Sequence, residues 1–550
     1  MRAPWIRRVV AVAAVAALAA TGAGCAKSER SGDGGKDSLV FGATGDPKGL
    51  DPAFASDGET FRVARQMYET LISFKEGTAE LAPGLAEKWE GSADGKTWTF
   101  NLRKGVKFHD GEDFNAEAVC TNFDRWYNFK GILQNSSVSA YWQDVFGGFA
   151  KNESAELPPS TYKSCAAKDE STVEIQLTRV TSRFPAGLAL TSFSISSPKA
   201  LKQYNADGLS GNPESPTYPE YADAHPTGTG PYKFVKWDKG NKQVELEAND
   251  DYWGDKAHIK KLVFKTISEE NARKQALESG GIDGYDLVAP GDLKSLKDGG
   301  FNVLTRDAFN ILYLDINQKN PQLAKPEVRK ALAYAINREA LVKAKFPEGA
   351  EVAKEFMPST VAGYADDVTE YPYDEAKAKQ LLQQAGAANL ALNFYYPTEV
   401  TRPYMPNPQE IFEVIKADLE KVGIKITAKP LPWNPTYLEQ VQNGAADIAL
   451  LGWTGDYNDA YNFIGTFFGR QKPEWGFNNP ALFAALTAAD TNPDASAREE
   501  QYKAINKQIM DFLPGVPLSH SPPGLVFGKN VEGIKPSPVT DEDFAKARFK

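Results

Sequence analysis

Trp453 and Asp456 stand three residues apart within residues 447–464, which read DIALLGWTGDYNDAYNFI. An indole beside a carboxylate suits a cationic group. The ring gives a desolvated wall and the carboxylate gives the counter-charge. The plain alternative is a turn with a packed Trp and a solvated Asp, and this stretch alone leaves both open. The apolar run 448–451, bounded by polar residues, predicts a short buried strand that would carry the pair at its end.

Other chemistries find less support. There is no G-x-S-x-G, no H-E-x-x-H and no local clustering of His with Cys or carboxylates, so no enzyme is expected. Three Cys and four scattered His supply no metal-ligand set, and no cofactor is called for. Gly95-Lys96-Thr97 mimics the tail of a phosphate-binding loop, but Glu90 stands where its first Gly belongs. The net charge of −10, with no basic patch, argues against nucleic acid as a partner.

At 550 residues the chain exceeds one ordinary core, and several domains are expected. Arg2, Arg7 and Arg8 precede the apolar run 9–20, which is too short to span a bilayer and reads as an export signal. Cys25 follows Thr21-Gly22-Ala23-Gly24. This resembles a bacterial lipoprotein signal, with Gly22 where the usual pattern has Leu; ordinary secretion is the alternative. The polar, Gly-rich residues 26–38 then read as a tether. Cys120 and Cys165 remain as an even pair in an oxidising compartment, either a disulfide or two buried thiols.

Along the chain, Ser38 to Gly42 predicts a first strand, and Asn115 caps a helix running to Trp126. Residues 147–168 read as a polar surface insertion pinned by Cys165. Beyond Phe301 strands and helices alternate, with one helix over 327–344 and another over 409–422, predicting a partly parallel sheet. Ligands of such sheets sit at strand ends, where Trp453 and Asp456 would lie.

Several runs together resemble the peptide/nickel class of ABC-transporter solute-binding proteins (bacterial extracellular solute-binding family 5). They are LAEKWE at 85–90, DGKT at 94–97, LRKGVKFHDG at 102–111, GTGPY at 228–232, NDDYWG at 249–254, VRKALAYAI at 328–336 and the Trp453 stretch. The resemblance implies an α/β fold of the type II periplasmic-binding-protein kind, two lobes closing on a ligand plus an inserted domain. Lobe I would comprise 39–74, 190–295 and 515–550, inserted domain II 75–189, and lobe III 296–514, with Cys120–Cys165 stapling domain II. The implied protein is a monomeric receptor, lipid-anchored on the outer face of the cytoplasmic membrane, that passes its ligand to ABC permease subunits.

Within the family, RPYMPNP at 402–408 is similar to the R-P-Y-N-P-N segment of dipeptide-binding proteins, and GWTGD at 452–456 to their G-W-T-G-D. The resemblance implies that Asp456 holds a ligand's α-amino group, Arg402 its carboxylate, and that Trp453 walls the pocket. A zwitterion taken out of water needs both charges paired, and an Arg fork suits a carboxylate. A surface ion pair is the alternative for Arg402. Ser56 and Gly58 would offer backbone hydrogen bonds from lobe I. Met405 departs from the pattern, as do residues 457–461, where Tyr457 and Tyr461 would narrow the pocket or stack on a side chain. Tyr141 and Trp142 read as cleft or core, and Trp433 equally so. The expected ligand is a short peptide; a nickel chelate, opine or haem-like cofactor on the same fold is the alternative.

Overall fold

The computed structural model describes residues 37–213 and 215–550. The export signal and Cys25 lie outside the described residues. Two large sheets dominate. The first orders Tyr232–Asp238, Gln243–Ala248, Lys261–Thr266, Ser38–Ala43, Gly284–Val288, Gly524–Phe527 and Asn302–Thr305. The second orders Glu351–Val352, Gly515–His520, Asn310–Ile316, Ile448–Thr454, Ala391–Thr398 and Lys425–Pro432. These are the cores of lobes I and III.

In lobe III the Ala391–Thr398 strand runs parallel to both Lys425–Pro432 and Ile448–Thr454, while Asn310–Ile316 is antiparallel to its neighbours. Ile448 to Leu451 is buried throughout, as a central strand covered on both faces requires. The strand runs on past the predicted apolar run, so Trp453 is still paired, opposite Ile311. The 327–344 helix is two: Pro326–Ala335 and Arg338–Lys345. Asn337 separates them by capping the second through Ala340 N, and its own N–H donates to Asp418 at 2.9 Å.

The chain passes between the lobes twice, both times later than the sequence predicts. Asn302–Thr305 pairs with Gly524–Phe527 in lobe I, and Gly515–His520 pairs with Asn310–Ile316 in lobe III. The crossings are therefore 306–309 and 521–523, beyond the expected 296 and 515. They are tied together. Arg306 N donates to the Pro523 carbonyl at 3.1 Å. The Asn310 amide donates to the Ser521 carbonyl at 2.7 Å and accepts from Ser521 N at 3.0 Å. On the lobe I side, fully buried Arg306 forks onto Asp286 (2.6 and 3.0 Å) and Glu542 (2.7 and 3.0 Å). Against the cost of burial, Arg306 and Arg62 hold the Asp286 carboxyl well below the usual carboxylate range.

Domain II is a four-stranded antiparallel sheet, Ala86–Gly91, Thr97–Leu102, Thr172–Leu177 and Tyr162–Asp169, with the Ala116–Tyr127 helix on it. Cys120 and Cys165 form a disulfide between this helix and the Tyr162–Asp169 strand. Cys165 is thus a strand residue and not the pin of a surface insertion. Phe123, Trp126, Trp142, Phe146 and Tyr162 form an aromatic core around it. Much of the sequence signature joins domain II to lobe I. Within lobe I, half-buried Glu69 accepts from Thr229 (2.7 Å), Tyr252 (2.9 Å) and Trp253 (2.9 Å), which holds the Trp253 ring for domain II. Arg103 of domain II lies over the Trp253 ring at 4.5 Å, and His109 N donates to the Gly228 carbonyl.

Candidate ligand-binding site

Two opposite charges stand where the units meet. Arg402 lies in the loop before the Pro408–Lys421 helix, whose N-terminus Asn407 caps. Its backbone bridges to Met405 in both directions, at 3.1 and 2.9 Å, which makes the loop a tight turn. The guanidinium lies over Trp433, 4.4 Å from the ring centre. It takes part in no ion pair among the described residues, and its buried Nε has no acceptor there. Around it Leu287, Val288 and Pro290 of lobe I face Pro347 and Pro403 of lobe III across a narrow cleft, with Ser521 and Pro523 of the crossing at its side. Leu287 sits at φ +55°, costly for a branched side chain, and its N–H is held by Asp286 at 2.6 Å.

Asp456 follows the Ile448–Thr454 strand. Gly452 and Gly455 make that strand end possible. A Cβ on Gly452 would come 2.3 Å from the Tyr404 ring, and one on Gly455 2.2 Å from Phe309. Asn462 clamps Asp456 by accepting from its N–H (2.8 Å) and donating to Oδ2 (3.1 Å). The Tyr141 hydroxyl of domain II donates to Oδ1 at 3.0 Å. Burial, with a further push from Asp144, raises the Asp456 carboxyl to about 7, against the bonds from Asn462 and Tyr141 and the charge of Arg65. No ion pair reaches Asp456 among the described residues. Trp453, half-buried, donates through Nε1 to Asn462 at 3.3 Å, so one amide orients both the indole and the carboxylate.

The other expected residues are placed differently. Tyr457 is fully buried within the domain II aromatic cluster and donates to Asp144 Oδ2 at 3.2 Å. It presents no surface to a pocket, because its ring is spent on the seam between lobe III and domain II. Tyr461 lies under the Arg183 guanidinium at 4.5 Å, and Arg183 pairs with buried Asp490 at 3.1 Å. Residues 457–461, where the family pattern breaks, thus form that seam. Ser56 and Gly58 flank Asp57, which caps the Gly58–Met67 helix by accepting from Glu59 N and Thr60 N. That helix reaches the Asp456 corner through Phe61, whose ring centre is 5.7 Å from that of Tyr141.

Sequence reasoning left three contributors undecided or unnamed. Tyr141 and Trp142 divide, with Trp142 in the core and Tyr141 on Asp456. Trp433 is the platform for Arg402. Asn462 has no local signal in the sequence that distinguishes it.

Residues 80–475 match the profile of the bacterial extracellular solute-binding proteins, family 5. The chain is 33% identical over 522 residues to the dipeptide-binding protein of Escherichia coli, covering 92% of this chain and 94% of that one. It is 29% identical to heme-binding protein A of Haemophilus influenzae, covering 92% and 91%. Among solved structures it resembles the periplasmic binding protein DppA of Helicobacter pylori in complex with peptide STSA. That TM-score is 0.77 at 28% identity, over 94% of this chain and 98% of that one.

Proposed function

The chain belongs to the bacterial extracellular solute-binding proteins of family 5, and from that premise we propose how it captures a dipeptide or short oligopeptide for an ABC importer. It is a binding protein, not an enzyme, and works outside the cytoplasm. The lobes close over the ligand about the paired crossings and present it to a membrane permease. Asp456 takes the α-ammonium, Arg402 the α-carboxylate, and Trp453 walls the space beside the amine. Cys25 carries a lipid that holds the monomeric receptor at the membrane surface through the 26–38 tether.

One observation carries the reading. Arg402 at the cleft between lobes I and III and Asp456 at the contact between lobe III and domain II are opposite in charge, and neither takes part in an ion pair among the described residues. A zwitterionic ligand supplies both counter-charges at once. The Arg402 fork, oriented by its indole platform, matches a carboxylate.

The test is a thermal-shift screen of the mature protein with di- to pentapeptides, a nickel chelate and haem. A true ligand at a hundredfold excess over Kd stabilises by about 2.7 kcal/mol. A shift with peptides, lost in Arg402→Gln, supports the assignment. A shift with the chelate or haem alone overturns it. Mass spectrometry of the mature N-terminus tests the anchor, where an unmodified residue at 25 or beyond would exclude it.

A further inference from the structure

We propose that a cavity on the surface of lobe III, bounded by Tyr364, Asp366, Asn458 and Glu499, is a second binding site that takes an organic cation, an ammonium or guanidinium group. The inference does not depend on what the Arg402 cleft holds.

The cavity has a volume of about 470 Å³ and opens to solvent. It lies between the 359–366 loop, Asn458 and the first turns of the Ala495–Phe512 helix, which carries Glu499. It shares no lining residue with the Arg402 cleft. Asn458 is close to Asp456 in the chain, but the intervening Tyr457 is fully buried in the domain II seam. The loop is held in shape against the helix. Val361 N donates to the Pro358 carbonyl and Tyr364 N to the Val361 carbonyl, making two successive turns. Gly363 sits at φ +93°, where a Cβ would come 2.5 Å from that of Tyr502. Beyond the loop, Asp367 pairs with Lys507 at 2.7 Å and Thr369 donates to Asp511 at 2.5 Å, which laces the chain to the same helix.

The chemistry is that of an acceptor site lacking its cation. Asp366 and Glu499 supply carboxylates, Ser359 and Thr360 hydroxyls, and no Lys, Arg or His lines the cavity among the described residues. Lys503, outside the lining, reaches Glu499 at 3.3 Å but is shared with Glu500 at 2.8 Å. Two buried groups beneath the loop add acceptors that the protein leaves short of donors. Asn506 is fully buried, and its Nδ2 donates to the Gly363 carbonyl at 2.9 Å, which puts the amide at the cavity floor. Its Oδ1 has no donor among the described residues. Glu355, also fully buried, receives only Ala365 N, at 3.3 and 3.4 Å. Burial, with a further push from Asp366, raises its carboxyl to about 9. Burial first, and then Glu355, Asp366, Glu351 and Glu370, push the Tyr364 phenol up to about 12, so its ring stays in the neutral form whose face attracts a cation. A metal ion fits less well. Two lining carboxylates are few for a divalent ion, and no group of three metal-binding side chains occurs among the described residues. An ammonium or guanidinium keeps part of its hydration in an open site and needs only partly exposed carboxylates as partners.

The experiment titrates putrescine by calorimetry at low salt into the mature wild type, Asp456→Asn, and the double variant Asp366→Asn, Glu499→Gln. Asp366 is exposed and Glu499 half-buried, so the double variant is expected to melt and to bind alanyl-alanine as wild type does. Putrescine is expected to bind wild type and Asp456→Asn alike. It should bind the double variant about tenfold more weakly, the scale of two partly exposed ion pairs. Added salt should shrink that difference. N-acetyl-lysinamide, which has neither terminal charge, forms a second arm. Tighter binding than putrescine identifies a partner protein's side chain as the occupant, weaker binding a free amine, and either supports the site. No binding to wild type, or equal binding by the double variant, overturns the proposal. Loss of putrescine binding in Asp456→Asn also overturns it, because the amine would then sit in the peptide cleft. If alanyl-alanine does not bind even wild type while putrescine behaves as expected, the peptide reading fails and this site stands.

Discussion

The ring of Tyr404 lies so close over Gly452 that a Cβ there would stand 2.3 Å from its Cδ2. This contact joins the two halves of the site, because Tyr404 is two residues from Arg402 and Gly452 precedes Trp453. The carbonyl of Ile311 closes the other side at 2.4 Å. Gly452→Ala must therefore displace the Arg402 turn. We expect a stability loss of about 1–3 kcal/mol, as for overpacking, and a peptide affinity lowered at least tenfold. Denaturant melts and calorimetry check both, and an Ala variant of full affinity would show that Arg402 does not depend on this contact.

The Asp456 carboxyl, raised to about 7 mainly by burial, predicts a pH-dependent receptor. An ammonium binds the ionised form, so affinity should hold above pH 7 and fall by up to about tenfold per unit below it. The linkage to stability runs the opposite way. A carboxyl whose folded value lies above its unfolded one favours folding at low pH, and that contribution is lost as pH rises through about 7. Asp456→Asn should therefore stabilise the ligand-free protein at pH 8, by on the order of 1 kcal/mol given its partial exposure, while weakening peptide binding. Melts of the variant across pH 5 to 9 test the sign.

Much of this arrangement is legible in the sequence. The apolar run at Ile448 marks a buried strand, Asn115 marks a helix start, and the aromatic–carboxylate spacing marks a candidate site. What escapes depends on distant partners. Ile336 continues the apolar period across a helix break that Asn337 makes with help from Asp418, 81 residues on. The 302–305 and 515–520 strands are apolar enough for either lobe, and only pairing decides between them. Tyr457 resembles a pocket wall until its 0% exposure and its Asp144 partner place it in the seam. Tyr141 bonds to a residue 315 positions away, a separation no local pattern encodes.

Arg306 gives a prediction about the crossing itself. Its guanidinium is the shared counter-charge of Asp286 and Glu542, both buried. Arg306→Met would leave Glu542 without its counter-charge and Asp286 with Arg62 alone, in a dry site. A loss of about 3–5 kcal/mol is expected, the cost of breaking a buried pair by removing one partner. Arg306→Lys should recover only part of it, since an ammonium cannot fork onto two carboxylates. Urea melts measure this. Wild-type stability in the Met variant would mean that the carboxylates protonate without cost.

The Cys120–Cys165 disulfide closes a loop with a sequence separation of 45 inside domain II. In the chain-entropy picture, restraint of the unfolded chain by such a loop is worth about 4 kcal/mol. The bond joins the Ala116–Tyr127 helix to the Tyr162–Asp169 strand, in the same domain that carries Tyr141. Neither Cys touches Arg402 or Asp456. The double variant Cys120→Ser, Cys165→Ser should therefore melt at lower temperature while binding peptide, below its melting range, with close to wild-type affinity. A large loss of affinity in a still-folded variant would mean that the disulfide also sets the position of the Ala140–Phe146 helix. In that case Tyr141→Phe should cost little further in the same background, because the hydroxyl would already be out of reach of Asp456.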